Sequence, residues 1–113
     1  MNNMIAIAET QPFIKKALKL LSSSERSELI SYLSIHPKEG VIIEGSGGIR
    51  KLRWARGASG KSGGVRVIYY YYDDSMPLYL IALFAKNEKA NISAQEKAIL
   101  KKLTKQLVAL WRN

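Results

Sequence analysis

The chain has 113 residues, 18 of them Lys or Arg against nine Asp or Glu, for a formal charge of +9, with one histidine and no cysteine. That length makes a single domain, residues 1–113, with one hydrophobic core and no separate cofactor domain, and no cofactor is implied. Disulfides and thiolate metal sites are excluded and a lone His36 cannot build a histidine metal site, so any catalysis must run on Lys, Arg, Tyr, Ser or carboxylates.

Residues 4–8 form a short apolar segment, read as a first strand. Thr10 offers a helix N-cap and Pro12 is tolerated in the first turn, where its missing N–H costs nothing. Phe13, Ile14, Ala17, Leu18 and Leu21 recur at helical spacing and predict one buried face, with Lys15, Lys16 and Lys19 on the other. Ser22 and Glu25 fit a capping box for a second helix with Leu29, Ile30 and Leu33 as its apolar stripe, and Pro37 stops it after His36. The two helices are expected to form a hairpin.

Residues 38–48, with four glycines, read as a loop. Residues 49–55 and 64–72 read as two strands of a hairpin joined by a Gly/Ser/Lys-rich connection. In the first strand, alternation puts Ile49, Lys51 and Arg53 on one face and Arg50, Leu52 and Trp54 on the other, the latter set turned to a core. Tyr69 to Tyr72 end the second strand; their rings can stack on bases, but alternation turns about half of them inward, Tyr69 and Tyr71 in particular. Asp73, Asp74 and Ser75 make a turn, and residues 76–84 are apolar on both faces, as in a strand covered on each side. Ser93 and Glu96 form another capping box, ahead of a helix with Ile99, Leu100, Leu103, Leu107, Leu110 and Trp111 in its stripe beside Lys97, Lys101, Lys102 and Lys105. The predicted fold is α+β: an N-terminal strand and helical hairpin packed on a small, mostly antiparallel twisted sheet, with a C-terminal helix. No run approaches the roughly 18 apolar residues of a membrane span and no leader pattern opens the chain, so no membrane partner is expected and the default location is the cytoplasm.

Charge is unevenly placed. Residues 1–44 balance five basic against five acidic side chains, so the whole +9 falls in residues 45–113. Arg50, Lys51, Arg53, Arg56, Lys61 and Arg66 follow one another without an acidic residue between them, which is costly by self-repulsion unless an anion is the intended neighbour. The partner this suggests is a polyanion, most often nucleic acid. Residues 55–62 satisfy a relaxed phosphate-loop pattern, but such a loop must open a helix, and here glycines and a strand follow; the match reflects hairpin-tip composition.

The strings GSGGIRKLRW, GGVRVIYYYY and PLYLIALFAKNEKANIS, in that order after a helical hairpin and before a basic helix, resemble the RelE/HigB toxins of bacterial toxin–antitoxin pairs, particularly the HigB-like branch, over nearly the whole chain. The resemblance implies a RelE-like fold and a small, metal-independent endoribonuclease that cuts mRNA in the A site of the 70S ribosome. It also implies a cognate antitoxin that holds the toxin inactive and doubles as a DNA-binding repressor. Carried over residue by residue, Lys51 and Arg53 fall where the family places a catalytic lysine and a neighbouring arginine, Arg66 falls on the arginine that grips the scissile phosphate, and Lys86 matches a further basic position. Arg50, Arg56, Lys61 and Lys89 are the expected RNA-binding residues around them. The chain departs from the family at Asn87, where an arginine is usual, and at Ser93, where a near-C-terminal tyrosine is usual, and Lys89 stands where it can replace the lost charge.

The carried-over set suits the chemistry. Arginines are planar, permanently charged donors for phosphate oxygens, an interaction that strengthens as charge develops in the transition state. Lys51, flanked by Arg50 and Arg53, is the lysine marked for proton transfer. With no histidine or carboxylate nearby, much of the rate would come from positioning RNA in the ribosome, which predicts weak activity on free RNA. Two alternatives stay open: a ParE-like inhibitor of DNA gyrase, and a non-catalytic RNA-binding module.

Overall fold

The computed structural model describes residues 4–55, 64–88 and 91–112. Its elements run β1 (Ile7–Glu9), α1 (Gln11–Leu20), α2 (Ser23–Ile35), β2 (Val41–Ile42), β3 (Ile49–Trp54), β4 (Val65–Tyr70), β5 (Leu78–Ala85) and α3 (Ala94–Trp111). Two helices start at the expected capping boxes. The Ser22 hydroxyl accepts from the Glu25 N–H at 3.1 Å and the Glu25 carboxylate from the Ser22 N–H at 2.7 Å. Ser93 and Glu96 repeat the pair at 3.1 and 2.8 Å. Each box satisfies two amide donors that the first helical turn leaves orphaned.

Thr10 behaves differently from the expected cap. It occupies the N-cap position of α1, but its hydroxyl makes no capping bond and lies instead 2.9 Å from the Leu80 carbonyl and 3.1 Å from that of Ile81. The register explains why. Ile68 pairs with Ala82 and Tyr69 with Leu80, so Ile81 is an extra residue in the ladder, and Thr10 takes the carbonyl that this bulge turns out of it.

The five strands lie in the order β1-β5-β4-β3-β2, antiparallel except for β1 beside β5. β2 and the turn after it fall within the stretch read from sequence as loop. Gly47 sits in that turn at φ +79°, and a Cβ there would meet the Thr104 hydroxyl at 2.5 Å, so only glycine lets the turn lie directly on α3.

The sheet separates two apolar layers. On one face Phe13 and Ala17 of α1 and Leu29 and Leu33 of α2 cover Val65, Val67, Tyr69 and Leu83. On the other, Leu100, Leu103 and Leu107 of α3 cover Ile49, Ile68, Tyr70 and Ile81. Both stripes are narrower than the spacing predicts: Leu18 is 70% exposed, and Ile99, Leu110 and Trp111 are also exposed, because only the innermost turn-to-turn line of each helix reaches the sheet. Trp111 lies past the layer, its indole N–H donating to the Tyr79 hydroxyl at 2.8 Å. The tyrosine run is more buried than alternation alone predicts. β4 lies between β3 and β5 with helices on both faces, so Tyr69 and Tyr70 are both buried and Tyr71 partly so, and of the four only Tyr72 is exposed.

Candidate nucleic-acid interface

β3 supplies alternate residues to opposite layers, and its two largest apolar side chains decide which. Leu52 and Trp54 pack into the layer under α1 and α2, the Trp54 ring 5.2 Å from that of Tyr32. A period of two then forces Lys51 and Arg53 to the other face. Register completes the row: Arg53 pairs directly with Arg66, which pairs with Phe84, and the next row on that face is Lys51, Ile68 and Ala82. Directly paired residues on neighbouring strands have Cβ atoms about 4.5–5.5 Å apart, close enough that like charges repel and any anion coming between them is favoured.

α3 covers this face over Ile68 and Tyr70, and Arg53 remains exposed beyond it while Arg66 is half-buried. Lys86 follows the end of β5, two residues past Phe84; its main-chain N–H donates to the Gly64 carbonyl at 3.1 Å, which holds it beside the start of β4. The turn after it is closed by Glu88, which accepts from the Ala85 N–H at 3.0 Å and pairs with Lys16 from α1. The Lys16 ammonium holds the Glu88 carboxyl below its ordinary range, helped by the Ala85 N–H. Lys51 sits half-buried in a cleft of about 270 Å³ whose other walls include Val41, Asn91 and Lys97. From sequence, Lys97 reads as part of a solvated helix face with Lys101, Lys102 and Lys105, one that on a ribosome-bound protein can also meet ribosomal RNA phosphate. Its recurrence with Lys101 and Lys105 at every fourth position was the available signal.

Arg50 is put to another use. It lies on the layer of Tyr69 and its guanidinium donates to the Gly40 carbonyl at 2.7 Å and the Lys38 carbonyl at 3.1 Å. The Tyr69 hydroxyl accepts from the Gly40 N–H at 2.7 Å and donates to the Pro37 carbonyl at 2.9 Å. Together they brace the chain between α2 and β2, and Arg50 does not join Lys51 and Arg53. Arg56, Lys61 and Lys89, and all but the first residue of the 55–62 run, lie outside the described residues. Of the two departures, Asn87 is exposed in the turn after β5, while the Ser93 hydroxyl is held as the cap of α3. His36 is the C-cap of α2, its ring 4.7 Å from Tyr32. Among the described residues no three His, Asp or Glu side chains gather as a metal site requires, and no helix is long and apolar enough to cross a membrane.

Fold and charge together define a class: a small α+β protein with a cationic sheet face partly roofed by its C-terminal helix. A family model described as the RelE toxin of the RelE/RelB toxin–antitoxin system matches residues 14–113, and the chain belongs to that family. Its fold is similar to that of the Escherichia coli toxin RelE, solved as a double mutant in the free state, with 16% identity and a TM-score of 0.55 over 89% of this chain and 97% of that one. It is therefore the toxin of a toxin–antitoxin pair, with a cognate antitoxin as its partner.

Proposed function

We propose that this toxin is a ribosome-dependent endoribonuclease of the HigB-like branch, cutting mRNA in the A site of the translating ribosome. The observation that carries the reading is the direct pairing of Arg53 with Arg66, with Lys51 one row away on the same face and Lys86 at the end of β5. Two guanidinium groups set side by side can each grip non-bridging oxygens of one phosphate. In the reaction the RNA 2′-OH loses its proton and its oxygen bonds to the adjacent phosphorus. The bond from phosphorus to the 5′-oxygen breaks, and that oxygen takes up a proton, leaving a cyclic phosphate and a 5′-hydroxyl end. Arg66 and Arg53 stabilise the extra negative charge on the pentacoordinate phosphorane. Lys51, recessed in its cleft, is the proton-carrying group, and Lys86 adds charge at the open end of the row. Arg50 takes no part, because its guanidinium lies on the other layer, donating to the Gly40 carbonyl.

This set positions and neutralises more than it transfers protons, which supports dependence on the ribosome to align the RNA. The antitoxin, in this reading, also acts as a DNA-binding repressor. The test is primer extension on a reporter mRNA in a reconstituted translation reaction, with wild type and Arg66→Ala. Removing one charge-stabilising donor is expected to cost roughly 10²–10³ in cleavage rate while the fold survives. Growth arrest with intact mRNA, unaffected by Arg66→Ala, would sink the reading and point to a ParE-like block of DNA gyrase.

A further inference from the structure

The cationic side also holds a cavity away from the Arg53–Arg66 row. It is a cleft of about 570 Å³ between α3 and the tyrosine end of β4, lined by Tyr70, Tyr72, Lys101, Lys105 and Arg112, with Gly47 at its edge. Its size falls within the range of small-ligand sites, roughly 300–1,000 Å³. The two tyrosine rings lie 6.4 Å apart and tilted by 36°, and Tyr72 is 42% exposed, which leaves its ring open to a planar partner. Three cations rim the same space. Asp73 accepts from the Ser75 hydroxyl and from the Ser75 N–H at 2.8 Å, bonds that hold its carboxyl below the ordinary range and turn it into its own turn, with Arg112 adding a smaller pull the same way.

The cleft lies on the same side of the sheet as the Arg53–Arg66 row. Arg66, Ile68 and Tyr70 alternate along one side of β4, so Arg66 and Tyr70 point the same way about 13 Å apart at ~3.3 Å per residue. Lys97, Lys101 and Lys105 recur every fourth position along α3, about 6 Å per step, and they join the two ends. Lys97 lines the Lys51 cleft, while Lys101 and Lys105 line the tyrosine cleft. Between the clefts the turn after β2 lies on the helix, a Cβ at Gly47 falling 3.0 Å from the Lys101 Cα. A merely solvated lysine face needs no aromatic wall. Here a line of cations runs from a phosphate-gripping row to a cavity offering an open aromatic ring, the combination that single-stranded nucleic acid uses for backbone and bases respectively.

We propose that the cleft between α3 and the tyrosine end of β4 is a second RNA subsite, which holds a nucleotide of the same single strand that crosses the Arg53–Arg66 row, its base stacked on Tyr72 and its phosphates on Lys101, Lys105 and Arg112. The proposal deepens the RNA reading of the cationic face and rests on it. Nucleotides flanking the cleavage point would bind here, so the site governs affinity and strand direction and takes no part in the bond chemistry.

The test is fluorescence anisotropy of end-labelled single-stranded oligoribonucleotides of graded length, with the full chain as wild type, Tyr72→Ala, Tyr72→Phe and Lys101→Ala/Lys105→Ala. Wild-type affinity should climb with length until the strand reaches both ends. Tyr72→Ala should weaken the long oligonucleotides roughly tenfold and leave the shortest unchanged, and Tyr72→Phe, which keeps the ring, should bind as wild type. The double lysine variant should lower the slope of log affinity against log salt by about 1.4, two phosphates at ~0.7 each. The altered side chains are exposed, so thermal melts should coincide with wild type. Long-strand affinity and salt slope unchanged in Tyr72→Ala and in the lysine variant would overturn the proposal. So would variants that bind RNA normally but lose the antitoxin, an outcome assigning the cleft to the protein partner. Arg66→Ala separates the two levels: cleavage that survives it while the cleft variants lose RNA affinity would discard the catalytic reading and leave the subsite standing.

Discussion

The two faces of the sheet use the same kind of residue for opposite ends. Under α1 and α2, Arg50 is locked onto two main-chain carbonyls, and Arg26 of α2 meets Glu9 of β1 at 2.8 Å, so cations on this side brace the chain. On the face that α3 partly covers, Arg53 is set against another arginine, and the lysines of the helix line clefts. Arg50 and Arg53 sit three positions apart on one strand. What separates a brace from a ligand grip is the partner each meets once the strand has chosen its layers.

The sharpest way to break this contrast is to damage each face and ask which property fails. Phe13 of α1 is fully buried against the sheet. Phe13→Ala should cost about 3–5 kcal/mol, seen as a lower denaturant midpoint, with no specific effect on RNA binding in whatever fraction stays folded. Arg50→Ala should cost about 1–3 kcal/mol, because two carbonyls lose their donor, and should leave RNA affinity near that of wild type. Arg53→Ala should do the reverse, within about 0.5 kcal/mol of wild type in stability yet weaker on RNA. If Arg53→Ala destabilised the protein more than Arg50→Ala, the contrast between the faces would collapse.

The smallest expected effect is alkaline. Tyr71 donates to Asp74 Oδ1 at 2.7 Å, and this bond, with some burial, pushes its hydroxyl from 10.0 up to about 12. Burial likewise raises Tyr69 under α2 and Tyr70 under α3. A tyrosine that keeps its proton in the folded state after the unfolded chain has released it makes stability fall as pH rises. For Tyr71 that window runs from about pH 10 to about pH 12. Denaturant midpoints across this range should drop, and Tyr71→Phe should flatten part of the slope. An unchanged slope would mean that the bond to Asp74 does not hold in solution.

Much of the fold was legible because its signals are local. Ser22 with Glu25 and Ser93 with Glu96 satisfy amides three residues away, so the serine and glutamate alone announce the helix starts. Leu52 and Trp54 oriented β3, and the pleat then set Lys51 and Arg53 on the opposite face. Distant partners decided the rest. Thr10 bonds carbonyls 70 and 71 positions away, which turned an apparent helix cap into a staple for a bulge. Tyr70 is buried because α3 returns across the sheet, an event its neighbours in sequence do not encode. Arg50 and Arg53 look alike in the string IRKLRW, and only the return of residues 38–40 gave one of them carbonyls to hold. The sequence by itself determined the periods, the two capping boxes and the surplus of charge. Tertiary structure decided which cations meet, because an arginine's use depends on what lies within a few ångströms, and those neighbours come from other parts of the chain.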